Sequence, residues 1–205
     1  MTYKKFTKSI QKLSQTALVA TNDELDRFSE SDIFWSQNRS REFINRKISK
    51  GDIFQFEFGK NYIPEMSYEH RGLVIGKSDK LLYVLPICTY HSNNTEHAHA
   101  YHPIDNPNSL SKYFLLKQTE FQFLTHDSVL KLDDLRTVSV KRIKYQHRGS
   151  IKNTSDTYKN IERMCFRKCF PQFSYEFDVL NQENEKLKKE NEELKKHIPS
   201  YTCDE

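Results

Sequence analysis

The chain has 205 residues, with 32 Lys and Arg against 28 Asp and Glu, a formal charge of +4. Hydrophobic residues are only 36% but aromatic ones reach 13%, too many for a disordered chain, so a compact core with polar appendages is expected. Five Gly and six Pro exclude collagen-like material, and no apolar run approaches the ~18 residues of a membrane span. The basic start, Met1 to Lys8, is not followed by an apolar stretch, so no secretory leader is expected.

The first segment, 1–49, reads as a helical extension. Phe6, Ile10, Leu13 and Ala17 recur at helical spacing. Thr21 and Glu24 have capping-box spacing ahead of Leu25 and Phe28, and Ser31 or Asp32 is placed to cap a second run carrying Phe34, Trp35, Phe43 and Ile44. At Gly51-Asp52 the period changes. Ile53, Phe54, Phe56 and Phe58 make a short strand, Leu73-Val74-Ile75 a second, and Leu81 to Ile87 a third, all close enough to form antiparallel hairpins. Residues 89–111 are polar and loop-like. Tyr113 to Leu116, Ser128 to Leu130 and Leu135 to Val140 read as further strands, so 50–148 is expected to be mainly β, a small barrel.

Residues 149–175 read as a basic helical connector. Between Lys131 and Lys168 there are eleven Lys or Arg and four Asp or Glu, 11 − 4 = +7, which favours a polyanionic partner. In the last segment, 176–199, Leu180, Leu187 and Leu194 fall seven apart at heptad position d, with Phe177, Asn184, Asn191 and Ile198 at a. Glu183 and Glu190 at g precede Lys188 and Lys195 at e, the complement of a parallel two-stranded coiled coil and hence of a homodimer. Pro199 ends the helix.

Cys88, Cys165, Cys169 and Cys203 are sparse and irregularly spaced, which points to free thiols in a reducing cytoplasm. His91, His97, His99 and His102 fit zinc or nickel ligation in type, with His97 and His99 as same-face strand neighbours. No carboxylate or thiol completes a set, so a substrate loop with Tyr90 and Tyr101 stacking on bases is preferred, and no metal or other cofactor is assigned.

Gly51-Asp52-Ile53 to Phe58-Gly59, Glu65, His70-Arg71, Leu73-Val74-Ile75, Val84-Leu85-Pro86-Ile87 and the Ser128 to Arg142 stretch together resemble, in order and spacing, the MazF/PemK toxins over about residues 50–145. The resemblance implies an SH3-like β-barrel homodimer that cleaves single-stranded RNA (mRNA) without metal, by 2′-hydroxyl attack to leave a 2′,3′-cyclic phosphate, and that is held by a separately encoded antitoxin. It places Arg71 on the family's catalytic arginine, Thr89 on its Thr/Ser and Glu65 on its loop glutamate, with His70 and Cys88 as secondary candidates. A guanidinium fork suits a phosphate better than an ammonium does. Arg136, Lys141, Arg142, Lys144 and Arg148 are the expected RNA-backbone contacts. Three departures stand out: Ile63-Pro64 replaces the family's Gly-Ser before Glu65, Gly72 replaces proline after Arg71, and Cys88-Thr89 replaces a pair of hydroxyl residues. The competing functions are a non-catalytic nucleic-acid- or protein-binding module and a helical scaffold.

Overall fold

A computed structural model describes residues 2–42 and 47–196. The expectations for Phe43, Ile44, Ile198, Pro199 and Cys203 fall outside them. In chain order the elements are α1 (Thr2–Ala17), α2 (Asn22–Asn38), β1 (Asp52–Glu57), β2 (Glu69–Ser78), β3 (Leu81–Thr89), α3 (Thr95–Ala98), β4 (Tyr113–Leu116), β5 (Ser128–Lys131), β6 (Arg136–Ser139), a 3₁₀ turn, β7 (Ile143–Ser150), α4 (Asp156–Cys169) and α5 (Pro171–Lys196). The strands form one open antiparallel sheet in the order β4-β5-β3-β2-β1-β7, with β6 also on β3. More residues lie in helices than in strands, so the class is mixed α/β rather than mainly β.

Both faces of the central strands are buried. Ile53, Leu73, Leu85, Ile87 and Leu130 make one core, while Phe54, Phe56, Phe58, Val74, Val84 and Val138 make the other. That is why Leu73-Val74-Ile75 and Val84 to Ile87 read as unbroken apolar runs instead of alternating ones. The packing around Gly72 suits glycine: a Cβ there would lie 2.4 Å from a Val84 methyl and 2.9 Å from the Phe56 ring, so a side chain would have to displace both. Gly51, at φ +89°, lets the chain pass so close to Ile151 that its carbonyl accepts the Ile151 N–H at 2.9 Å.

The stretch read as a connector contributes to the core. Ser155 caps α4, and Tyr158, Ile161 and Cys165 from one of its faces are buried against the first cluster. The Tyr158 hydroxyl donates to the Ile75 carbonyl at 3.0 Å, where the β2–β3 pairing shifts register. Burial pushes the Cys165 thiol pKa up, so this cysteine packs as a small hydrophobe.

Thr21 and Glu24 form the expected capping box, with the Thr21 N–H on Glu24 at 2.9 Å and the Glu24 N–H on Thr21 at 3.3 Å. Ser31 and Asp32 start no second helix. α2 runs straight through them because the Ser31 hydroxyl is spent on Glu57 of β1 at 2.9 Å, and Asp32 pairs with Lys60 at 2.7 Å. His97 and His99 are not strand neighbours either. The first is buried in the short helix α3 and the second is the exposed C-cap residue. β7 carried no apolar signal, since as an edge strand it alternates only between half-buried and exposed residues.

Replacing Tyr158 with Phe should leave the Ile75 carbonyl unpaired in the core and lower unfolding stability by about 1–3 kcal/mol with an unchanged denaturant slope. Urea titration followed by circular dichroism measures this.

Candidate functional site

Strand register assembles a polar row at one end of the first core. Gln55 pairs with Arg71, Arg71 with Ile87, and Thr89 with Ser128. Directly opposed residues share a face, as do residues two apart, so Gln55, Arg71, Thr89 and Ser128 continue the face that carries Ile53, Leu73 and Leu130. Where the apolar residues stop, these four begin. Gln55, Arg71 and Thr89 line a cleft of about 450 Å³ together with His126, His147 and Phe123, and Ser128 is buried behind Arg71.

The Arg71 guanidinium is half-buried and stands 3.1 Å from His126 Nε2 and 3.1 Å from the Ser128 hydroxyl. The Thr89 hydroxyl lies 3.1 Å from the same Nε2. Arginine has no acceptor, so His126 Nε2 must present its lone pair, and the ring proton belongs on Nδ1, facing the Thr125 hydroxyl at 2.9 Å. The arrangement therefore turns the His126 Nε2 lone pair toward Arg71 and Thr89. Across the row, His147 Nε2 donates to the Gln55 side-chain oxygen at 3.0 Å. Burial, and then the nearby Arg71 charge, hold the His147 pKa below the ordinary imidazole range. The wall beside it is aromatic: a Cβ on Gly149 would overlap the Phe123 ring at 1.9 Å, so only glycine admits this packing.

Arg71 and Thr89 thus meet in one cleft, as the hairpin geometry required, but Glu65 is not among its lining residues. Its loop is held elsewhere by Asp134, which accepts the Met66 N–H at 3.0 Å and a two-point contact from Arg136 at 2.7 and 2.9 Å. The Glu65 carboxylate itself lies 4.0 Å from Arg136. His70 and Cys88 border the cleft. The Cys88 thiol donates to the Val129 carbonyl at 3.8 Å and burial pushes its pKa up, the reverse of what a nucleophile requires.

Much of the basic surplus is committed internally. Arg136 is tied to Asp134, the Arg142 guanidinium donates to the Glu57 carbonyl at 2.9 Å, Lys144 pairs with Glu69, and Lys141 reaches the Arg39 carbonyl at 3.2 Å. Arg148 is exposed. The two candidate stacking rings are also engaged, Tyr90 against His97 and Tyr101 against Phe114. His102 is buried between Asp105 at 2.7 Å and Glu120 at 2.9 Å, and His97 accepts the His91 N–H. Among the described residues, no group of three or more His, Cys, Asp or Glu is arranged to hold a metal ion.

No protein-family model matches this chain, and no curated protein matches it. Among the described residues, no helix is long and apolar enough to cross a membrane.

The imidazoles of His70, His97 and His147 are all lowered, by burial first and then by Arg27, His91 and Arg71 respectively. The unfolded chain therefore takes up protons first as the pH falls below about 6.5, and stability declines from there until the pH passes the lower folded-state values. Urea midpoints should be lower at about pH 5 than at about pH 7.5, and His147→Asn should remove part of the difference.

Proposed function

We propose that the chain is a MazF/PemK-like endoribonuclease of single-stranded RNA, acting by attack of the ribose 2′-hydroxyl on the adjacent phosphate. The observation that carries this reading is the placing of Arg71 and Thr89 on one imidazole nitrogen at the floor of an open cleft. A transphosphorylation needs a base for the 2′-hydroxyl, a cation for the charge that grows on the phosphate, and an acid for the departing 5′-oxygen. Two phosphate oxygens replace His126 and Ser128 on the Arg71 fork, and Thr89 donates to one of them. That exchange releases His126 Nε2 to accept the 2′-hydroxyl proton. The 2′-oxygen bonds to phosphorus, the bond from phosphorus to the 5′-oxygen breaks, and the leaving oxygen is protonated.

His147 is the acid in this scheme. Its Nε2 already carries a proton toward Gln55, and a bound phosphodiester offsets the Arg71 charge that disfavours the imidazolium. Phe123, which packs on Phe121 and lines the cleft where Tyr90 and Tyr101 do not, offers a face for an unpaired base. Glu65 takes no part in the reaction, and His126, in the loop before β5, fills the base role. The convergence of β1, β2, β3 and β6 on a second apolar cluster supports an SH3-like curl of the sheet. By the same resemblance the chain acts in the cytoplasm, and an antitoxin covers the cleft until it is released.

The purified protein should cleave single-stranded RNA in excess EDTA, leaving a 2′,3′-cyclic phosphate and a 5′-hydroxyl. Arg71→Ala and His126→Ala should each lose on the order of 10²–10³ in rate while staying folded. RNA that is bound but never cut would favour the non-catalytic module. Full cleavage by Arg71→Ala would overturn the site, and cleavage that requires an added divalent cation would overturn the mechanism.

A further inference from the structure

Helix α5 presents an apolar seam that the other described residues leave uncovered. Among its 26 residues none is buried. Phe173, Phe177, Leu180, Leu187 and Leu194 are 71, 60, 60, 49 and 65% exposed. In the heptad frame set by the three leucines, Phe173 is a further d residue, so the seam runs Phe173, Phe177, Leu180, Asn184, Leu187, Asn191, Leu194 with every d apolar. A solvated charged helix has no reason to keep large apolar groups at a strict seven-residue period.

The base of the seam is tied to the folded body. α4 buries Tyr158, Ile161 and Cys165 in the core, and Arg167 on the same helix pairs with Asp178 of α5 at 3.1 Å. At the joint, Phe166 and Phe170 stack with ring centres 5.9 Å apart and are 47 and 49% exposed. An exposed aromatic cluster continuous with a heptad seam marks an association surface.

We infer that this surface takes a second copy of the same chain, as a parallel, in-register coiled coil seated on the α4–α5 aromatic joint. Charge selects the occupant. Glu183 and Glu190 at g face Lys188 and Lys195 at e of a parallel copy, giving reciprocal Glu–Lys pairs on both sides of the seam. Asn184 and Asn191 pair across the axis only in that register, and asparagine at a favours two strands over three. Within one chain Lys188 sits 2.8 Å from Glu185, and Glu190 is 3.8 Å from Lys186. These exposed contacts are weak and readily exchanged for pairs that flank a buried seam. The inference rests on α4 and α5 alone and is independent of the nuclease reading.

Charge reversal on the full chain tests it. Light scattering should give a dimer for the natural sequence. Glu183→Lys with Glu190→Lys, and separately Lys188→Glu with Lys195→Glu, should each weaken self-association by about tenfold or more, because every g–e pair becomes repulsive. Mixing the two variants should restore a heterodimer. Asn191→Cys in a Cys203→Ser background should cross-link under mild oxidation, since only the parallel in-register pair brings both copies of that position together. A monomeric natural sequence would overturn the inference. So would a dimer that ignores both charge reversals, or one whose Asn191→Cys variant stays uncross-linked.

Discussion

Everything in this molecule is referred to β3. One edge of the strand pairs with β2 along nearly its whole length, while the other is divided between β6, against Leu81 to Val84, and β5, against Ile87 to Thr89. Pro86 falls where the partner changes, a position that tolerates the missing N–H in an otherwise central strand. Moving this strand by one residue would turn Leu85 and Ile87 out of one core and Val84 out of the other. Both cores therefore fix the register. The same register sets Thr89 across from Ser128 and Arg71 across from Ile87, so the cleft is a by-product of hydrophobic packing upstream of it.

The chemistry of the cleft turns on one cation, since Glu69, which also lines it, is paired with Lys144. Arg71 is half-buried with no carboxylate on its fork, and its partners are two neutral groups, an imidazole nitrogen and a hydroxyl. Burial disfavours the charged form of Arg71 and lowers its pKa, yet a guanidinium stays charged at any physiological pH. Among the described residues the guanidinium hydrogen-bonds to neutral groups, which leaves its charge available to an anion. The basic residues further along the chain differ: Arg136 and Lys144 have carboxylates, and Arg142 has a carbonyl. They hold the loop and the β1–β7 side of the sheet together, and Asp134 in particular carries the Glu65 loop away from the cleft.

The parts legible in the sequence were those governed by short-range rules. The β1–β2–β3 meander follows from apolar runs and turn residues, the Thr21 cap from a three-residue spacing, and α5 from its period. His126 was not legible, because nothing near it in sequence distinguishes it. Its role depends on three strands meeting, and its contacts to Arg71 and Thr89 span 55 and 37 residues. β7 was missed because an edge strand need bury little. α4 was misread because Lys and Arg on its outer face outweighed Tyr158, Ile161 and Cys165, whose spacing of three and four is the signature of a core-facing helix. The net charge of the basic stretch overstates its uncompensated charge for a related reason. Sequence counts charges but cannot see which are already neutralised by residues far away.

Among the described residues, the strands at the margins of the sheet, β4, β6 and β7, are each unfit to recruit another strand. β4 and β6 are four residues long each, and Tyr101 already exchanges backbone hydrogen bonds with the outer side of β4. β7 changes register twice against β1 and carries Lys144 and Arg148. Short length, irregular pairing and fixed positive charge are the devices by which natural sheets avoid growing by lateral addition. A protein built this way can concentrate in solution, or be tethered to its own kind through a helix, without its sheets fusing into fibrils. The irregular pairing of β7 is thus a safeguard on colloidal behaviour.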